Sequence, residues 1–281
     1  MKMGLIGNGF VGNAIYENLK QRYEFFVFDL NPERKTCDSV REVCENANII
    51  FVALPTPMRP DGSCDLSIIF SVMKEINLNY RNNVVVLKST VVPGTCDTIR
   101  AQYPQMRIVF SPEFLTERNF IQDFKNSNRM IFGGNSNDTE ACVEAVKEVF
   151  PNKIYVQTEL KTAEMVKYFI NTFLATKVSF ANEIKQICDS ANINYYRVMQ
   201  LALLDDRLGQ SHLRVPGPDN SLGFGGTCFP KDINALMNFA KSNSINPTVL
   251  QAAWEKNLEV RLDRDWEFMA GRAVSKKREE N

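Results

Sequence analysis

Lys2 to Ile6 is a short apolar run, and Gly7-Asn8-Gly9-Phe10-Val11-Gly12 comes directly after it. A helical spacing of apolar residues then continues through Leu19, and a second run, Glu24 to Phe28, ends in Asp29, seventeen residues after Gly12. Strand, G-x-G-x-x-G, helix, strand and acid in this order restrict the chain more than any other feature. The glycines permit a tight turn and a close approach by pyrophosphate, and the helix N-terminus offers its unsatisfied N–H groups to phosphate oxygens. A G-x-G-x-x-G alone is weak evidence; between a strand and a helix, with an acid at this distance, it predicts a dinucleotide site. Asp29 would accept the ribose hydroxyls and repel a 2′-phosphate, which favours NAD over NADP.

The alternation continues. Strand-like runs at Ile49–Ala53, Val84–Leu87, Arg107–Phe110 and Met130–Phe132 are separated by helical patterns near Ser39–Asn46, Leu66–Leu78, Thr95–Ala101 and Asp138–Phe150. Repeated βα units of this length predict an α/β fold whose parallel sheet is covered on both faces. Ligands of such sheets lie outside the carboxyl ends of the strands. The segments just after the strands are therefore candidate site segments: Pro55-Thr56-Pro57, Ser89-Thr90, and Ser111 to Glu117 with Glu113, Phe114 and Leu115. Glu113 and Glu117, four apart, would share one face if a helix carried them, either as a working pair or as a solvated surface pair.

From about Thr158 the pattern changes. Glu159 to Ala191 contains neither Pro nor Gly and reads as one long helix, apolar around so much of its circumference that it should be covered between layers or between subunits. Lys167 and Asn171 fall on one face of it. A lysine among Phe169, Phe173 and Phe180 either snorkels to water or serves a site. Further helices are expected around Tyr195–Leu204, Asp232–Lys241 and Pro247–Ala270, with a frayed charged end over 275–281.

Between the later helices lies Gly223-Phe224-Gly225-Gly226-Thr227-Cys228-Phe229-Pro230-Lys231-Asp232. Its glycines allow backbone to approach a ligand, and Pro230 suits the first turn of a helix. A thiol at a helix N-terminus beside a cation is pushed toward thiolate, the form that attacks carbonyls. The competing reading is a Gly-rich turn with an inert cysteine.

Composition narrows the chemistry further. His212 is the single histidine, so sites built on two or three His ligands are excluded, and it reads as a solvated loop residue. The seven cysteines are scattered without a C-x-x-C pair, which predicts reduced thiols in a cytoplasm, no disulfide framework and no metal site. Lys plus Arg equals Asp plus Glu at 33 each, which argues against nucleic acid as a partner. Strand-like residues begin at Met3 and the apolar runs are short, so neither a signal peptide nor a membrane span is expected.

Six stretches together resemble the nucleotide-sugar dehydrogenase family, the UDP-glucose 6-dehydrogenase branch above all, over almost the whole chain. They are Gly7–Gly12 with Asp29, Lys88-Ser89-Thr90, Pro112-Glu113-Phe114-Leu115, Ala163-Glu164-Met165-Val166-Lys167-Tyr168 with Asn171, Asp206-Arg207-Leu208-Gly209, and Gly223–Asp232. The last is the most specific. The resemblance implies a Rossmann-type NAD-binding domain over 1–157, and a helical central domain over 158–281 with a dimerisation helix and a catalytic cysteine loop. It also implies a homodimer through the 159–191 helix and two successive NAD-dependent oxidations of a hexose primary alcohol to a carboxylate.

By the same resemblance Cys228 is the nucleophile, Lys167 stabilises the oxyanion and Asn171 orients the substrate. Thr90 and Glu117 hold a water, Glu113 takes part in proton transfer, and Asp232 lies beside thiol and lysine. Which of Glu113, Glu117 and Asp232 is the base stays open. NAD would contact Gly7 to Gly12, Asp29, Arg34 (near the adenosine), Thr56, Thr90, Glu117 and Lys231. The sugar nucleotide would contact Glu113, Phe114, Leu115, Lys167, Asn171, Phe224, Gly225, Gly226 and, from across the dimer, Arg207.

The chain departs from the family in two ways. The segment after Asp232 is too short for the second Rossmann-like domain of family members, which needs roughly 100 residues, so the chain reads as a short form without uridine contacts. The loop from Arg207 to Gly223 is longer and proline-bearing, and would replace part of those contacts. Two other readings stand beside an active nucleotide-sugar dehydrogenase. One is a single-step hydroxyacid dehydrogenase, against which Cys228 argues; the other is a non-catalytic NAD-binding partner of a full-length enzyme.

Overall fold

Leu5, Ile6, Ile50, Phe51 and Val52 are all sealed from solvent, and continuous apolar strands of this kind form when both faces of a sheet are covered. The computed structural model, described over residues 1–276, has seven strands: β1 (Lys2–Ile6), β2 (Glu24–Phe28), β3 (Ile49–Val52), β4 (Val84–Leu87), β5 (Arg107–Phe110), β6 (Arg129–Gly134) and β7 (Ile154–Thr158). They lie in the order β2-β1-β3-β4-β5-β6-β7. β1 to β5 are parallel, with Leu5 opposite Val27 on one side and Phe51 on the other.

The helices among them are α1 (Phe10–Leu19), α2 (Val40–Asn46), α3 (Ser67–Leu78), α4 (Thr95–Gln102), α5 (Phe120–Asn126) and α6 (Ser136–Lys147). Strand alternation divides the core. Ile6, Ile50, Val52, Val85, Leu87, Ile108 and Phe110 pack with residues of α2, α3 and α4 on one face. Leu5, Ile49, Phe51, Val84, Val86 and Val109 pack with α1 and α6 on the other.

The fully parallel expectation needs one correction. β6 runs antiparallel to β5, then pairs in parallel with β7, a strand the sequence reading missed. The connection from β5 to β6 holds only the short α5, and an antiparallel neighbour does not require a full crossover. β7 escaped notice because its exposed Ile154 and Val156 alternate with polar residues at the sheet edge.

The chain forms two units. One comprises Met1–Thr56 and Leu66–Lys167, and the other Pro57–Asp65 together with the residues from Tyr168 onward. α7 (Leu160–Ser190) is a single uninterrupted helix of 31 residues, about 46 Å long. Its face bearing Ala175, Ala181 and Cys188 is buried, whereas Phe169, Phe173, Phe180 and Ile187 stand exposed. α8 (Tyr195–Ala202), α9 (Phe229–Ser242) and α10 (Thr248–Val260) complete the set. Phe224, Ile233 and Ala253 form one small core with Ala175, and Tyr195 and Val215 form another with Ala181 and Cys188.

The last helix is shorter than the expected Pro247–Ala270. It stops at Val260 because the next side chain, Arg261, turns inward to pair with Asp219 at 2.7 Å and Asp265 at 3.3 Å. A 3-10 turn over Asp265–Phe268 replaces the remainder. The frayed end expected over 275–281 lies largely outside the described residues, although Ser275 donates its N–H to Met58 O at 2.8 Å. Among the described residues no helix is long and apolar enough to cross a membrane.

Candidate active site

At the end of β1 the chain turns at Gly7, whose φ of +89° suits glycine and whose hypothetical Cβ would lie 2.4 Å from Ala53 O. A Cβ on Gly12 would sit 2.0 Å from Gly7 O, so both positions demand hydrogen. Gly9 is different: a Cβ there meets nothing within 4 Å. It caps α1 with no side-chain hydrogen bond, so the N-cap residue satisfies none of the first N–H groups of the helix. An anion could approach there.

Asp29 follows β2, accepting from Asn8 N at 2.6 Å and Asn31 N at 2.8 Å. Those bonds occupy part of each carboxylate oxygen's capacity and leave lone pairs for hydroxyl donors. The Asn8 amide donates to Arg34 O at 2.8 Å, drawing the two loops together, while the Arg34 side chain is exposed. Phe10 and Val11 open α1. The switch in strand order falls between β1 and β3, where Gly7 meets Ala53, the position at which open sheets of this kind bind ligands. The residues present therefore fit a dinucleotide.

Further along the same edge, Thr56 is buried and donates to Thr90 O at 2.8 Å, while Leu54 N donates to Ser89 Oγ at 2.8 Å. Lys88, at the end of β4 and almost fully buried, donates to Ser111 Oγ at 3.1 Å and pairs with Glu113 Oε2 at 3.2 Å. The other Glu113 oxygen accepts from Phe114 N at 2.9 Å. Lys167, buried rather than snorkelling, donates from Nζ to Glu113 O and lies 5.4 Å from the Phe114 ring centroid. Leu115 packs into the core beneath. No helix carries Glu113 and Glu117: residues 111–116 are irregular, and Glu117 is exposed in the next turn. Pro112 ahead of them disfavours helical backbone at Ser111.

One turn before Lys167, Glu164 is completely buried. It accepts from Gly94 N at 2.6 Å and Cys96 N at 2.8 Å, capping α4 from α7. Burial raises its pKa, an effect only partly countered by the two N–H donors.

The second unit gathers its own cluster. Cys228 is the N-cap residue of α9, Pro230 lies in the first turn, and Asp232 N donates to Cys228 O at 3.0 Å. Asp232 is buried; its Oδ1 pairs with Lys231 Nζ at 2.6 Å and its Oδ2 accepts from Asn171 Nδ2 at 2.5 Å. Burial works against the Lys231 ammonium, but Asp232, then Cys228 and Cys64, outweigh it and raise its pKa above the ordinary lysine value. Thr227 Oγ1 lies 3.7 Å from the Cys228 sulfur.

The glycine loop is held by groups the sequence reading did not single out. Asn257 accepts from Phe224 N at 2.6 Å and donates to Phe224 O at 3.0 Å; Asp265 accepts from Gly226 N at 3.0 Å. A Cβ on Gly225 would lie 2.2 Å from Asp265 Oδ1. Arg207 is exposed and pairs with Asp205 of its own loop at 2.5 Å. His212 is exposed too, its ring centroid 5.6 Å from that of Phe229. Among the described residues no three His, Cys, Asp or Glu side chains converge as metal ligands do.

One unit thus has the fold and glycine turn of a Rossmann-type dinucleotide-binding protein, and the other carries a thiol beside a buried lysine–aspartate pair. The chain belongs to the UDP-glucose/GDP-mannose dehydrogenase family: residues 30–153 match the family's NAD binding domain and residues 161–259 its central domain. It is 33% identical over 253 residues to the UDP-glucose 6-dehydrogenase of Rickettsia bellii, covering 87% of this chain and 57% of that one. It is 34% identical over 224 residues to UDP-glucose 6-dehydrogenase TuaD of Bacillus subtilis, covering 77% and 47%. The chain therefore spans about half the length of the curated relatives it matches. A solved UDP-glucose dehydrogenase from Pyrobaculum islandicum superposes with a TM-score of 0.83 at 27% identity, over 92% of this chain and 68% of that one. The 3-hydroxyisobutyrate dehydrogenase of Mycobacterium tuberculosis, at 14% identity and a TM-score of 0.77, shares the fold alone.

Proposed function

We propose that the chain is an NAD-dependent dehydrogenase that oxidises the primary alcohol of a nucleotide sugar twice, to the uronic acid, with UDP-glucose to UDP-glucuronate as the leading case. The observation that carries the reading is the Cys228 thiol at the head of α9, one turn from the buried Lys231–Asp232 pair. NAD, held by Gly7, Asn8, Gly9, Phe10, Val11, Gly12, Asp29 and Arg34 with Thr56, Thr90, Glu117 and Lys231, supplies the electron acceptor for each oxidation. Domain boundaries of 1–157 and 158–281 belong to the same proposal.

The site residues divide the work among them. Cys228 Sγ adds to the aldehyde carbon to form a thiohemiacetal, and after the second oxidation it holds the acyl group as a thioester. Water hydrolyses the thioester, releasing the acid and restoring the thiol. Lys167 supplies the ammonium for the oxyanion, a contribution of roughly 3–4 kcal/mol to the barrier by the scale of oxyanion donors. Asn171, tethered to Asp232, orients the sugar, while Thr90 and Glu117 hold the water. Glu113, with Lys88 as its fixed cation, or Asp232 or Glu117 accepts the proton. Phe114, Leu115, Phe224, Gly225, Gly226 and Arg207 contact the substrate. The exposed Phe169, Phe173, Phe180 and Ile187 of α7 support a homodimer through the 159–191 helix, and the protein works in the cytoplasm.

A second reading is a non-catalytic NAD-binding partner of a longer enzyme. A single-step hydroxyacid dehydrogenase remains the third. Counting NADH per sugar across UDP- and GDP-sugars separates them: two for the first reading, none for the second, one from a hydroxyacid for the third. Cys228→Ala should keep NAD binding and release no acid; turnover equal to the parent would overturn the sulfur assignment.

A further inference from the structure

Five of the seven cysteines are buried, and only Cys64 and Cys228 are partly exposed. Burial pushes the Cys44 and Cys142 thiols up to about 12 and raises those of Cys37 and Cys96, which makes them inert. The two accessible thiols are far apart in sequence, yet both belong to the second unit and both stand beside the Lys231 ammonium.

The backbone explains how Cys64 arrives there. Residues 57–65 form a tight hairpin: Met58 bridges Cys64, Arg59 N donates to Ser63 O at 2.8 Å, and Asp65 N donates to Pro57 O at 2.8 Å. The hairpin is tied down at Met58 by Ala273 O and by Ser275 N, and Ser275 Oγ donates to Asp65 Oδ2 at 3.1 Å. It passes along α9 in the reverse direction. Asn238 Nδ2 reaches Asp61 O at 3.5 Å, and a Cβ on Gly62 would touch Asn234 Oδ1 at 3.4 Å. Asn238, Asn234 and Lys231 lie on one face of the helix, at spacings of four and three, and Cys228 is three residues further toward the N-terminus. A step back along the helix from Asn238 to Asn234 meets a step forward along the hairpin from Asp61 to Gly62, and in the same sense Cys64 stands beside Lys231 in the first turn, where Cys228 is the N-cap residue.

We propose that Cys64 is the resolving partner of Cys228, so that oxidation of Cys228 by a peroxide ends in a reversible Cys64–Cys228 disulfide. In the first step the Cys228 sulfur attacks the peroxide: an S–O bond forms, the O–O bond breaks, and the leaving oxygen departs as water (for hydrogen peroxide). In the second step the Cys64 sulfur attacks the sulfenic sulfur of Cys228. The S–S bond forms, the S–O bond breaks, and the hydroxyl leaves with the Cys64 proton as a second water. Two thiols are oxidised by two electrons and one peroxide is reduced, so the balance closes. A disulfide requires Cα atoms about 4.4–6.8 Å apart, the span to which the hairpin and the head of α9 must bring the two cysteines for the bond to close. The pairing protects Cys228 from irreversible sulfinic acid and closes its site until a thiol reductant reopens it.

The test is made on the full chain with hydrogen peroxide, then alkylation and peptide mass spectrometry without reductant. The expected product is one cross-linked species joining the Cys64 and Cys228 peptides, lighter than their sum by two hydrogens and lost on treatment with dithiothreitol. In Cys64→Ser the cross-link should vanish, and Cys228 should instead be captured by dimedone as sulfenic acid or advance to sulfinic acid. If Cys228 in the parent proceeds to sulfinic acid while Cys64 remains alkylatable, or if Cys228 pairs with another cysteine, the proposal is wrong. The readout is mass rather than turnover, so its outcome is independent of whether the chain oxidises a nucleotide sugar.

Discussion

Truncating Asp232 to alanine would remove one carboxylate that two buried groups share. Lys231, whose side chain is only 12% exposed, would lose its 2.6 Å ion partner, and Asn171 Nδ2 would lose its 2.5 Å acceptor. Stranding one member of a buried ion pair costs about 3–5 kcal/mol, and about 1–3 kcal/mol attaches to an unsatisfied buried donor. These overlap at one site, so the expected loss is about 4 kcal/mol, within the range of the first figure. With a urea m-value of about 2 kcal/mol/M, the midpoint should fall by about 2 M. Both tryptophans, Trp254 and Trp266, lie in the second unit, so their fluorescence reports the unit that carries the pair.

The double variant Lys231→Met/Asp232→Leu removes both charges and should recover part of the loss, leaving about 1–3 kcal/mol for the Asn171 amide. It should fold and be inactive, because the pair serves the thiol's surroundings rather than stability. The pH dependence has a definite sign. A lysine whose folded pKa lies above its ordinary 10.5 contributes stability that is complete below that value and lost as pH rises through the folded pKa. The penalty of Asp232→Ala should therefore be constant through neutral pH and shrink only in strong alkali. A midpoint shift below about 0.5 M, or a double variant as unstable as the sum of its singles, would refute the account.

Gly9→Ala should fold with an unchanged melting temperature, since its Cβ meets nothing, yet bind NAD at least about tenfold more weakly by calorimetry, because the methyl would occupy the pyrophosphate approach. Gly12→Ala, whose Cβ would lie 2.0 Å from Gly7 O, should lose both fold and binding, read by circular dichroism. Glu164→Gln should cost about 1–3 kcal/mol in chemical denaturation, because the amide must turn an N–H toward either the Gly94 or the Cys96 donor. Burial raises the Glu164 pKa, so its linked stability is complete below the ordinary carboxyl pKa and lost as pH rises through the folded value. Glu164→Gln should flatten that fall, which parallel denaturation series at mildly acidic and neutral pH will show.

Periodicity and glycine spacing were enough to read the first six strands, the cofactor turn and the long helix, because each is governed by local geometry. The Pro247–Ala270 helix was misread because its end is set by Arg261 turning inward to Asp219, some forty residues away. Lys88 was legible only as part of a motif, since nothing local says that a lysine after β4 meets a carboxylate after β5. The supports of the glycine loop, Asn257 and Asp265, were illegible for the same reason.

Residue order dictates the kind of chemistry available: a thiol without histidine partners, a cofactor turn with its acid, and cations on helices. Packing settles which of those groups are buried, and with what partner. An ammonium and a carboxylate lose their water together only when folding delivers both to one place, and no local pattern encodes that delivery. Asn171 beside Asp232, Lys88 beside Glu113 and Cys64 beside Lys231 are all properties of the folded chain.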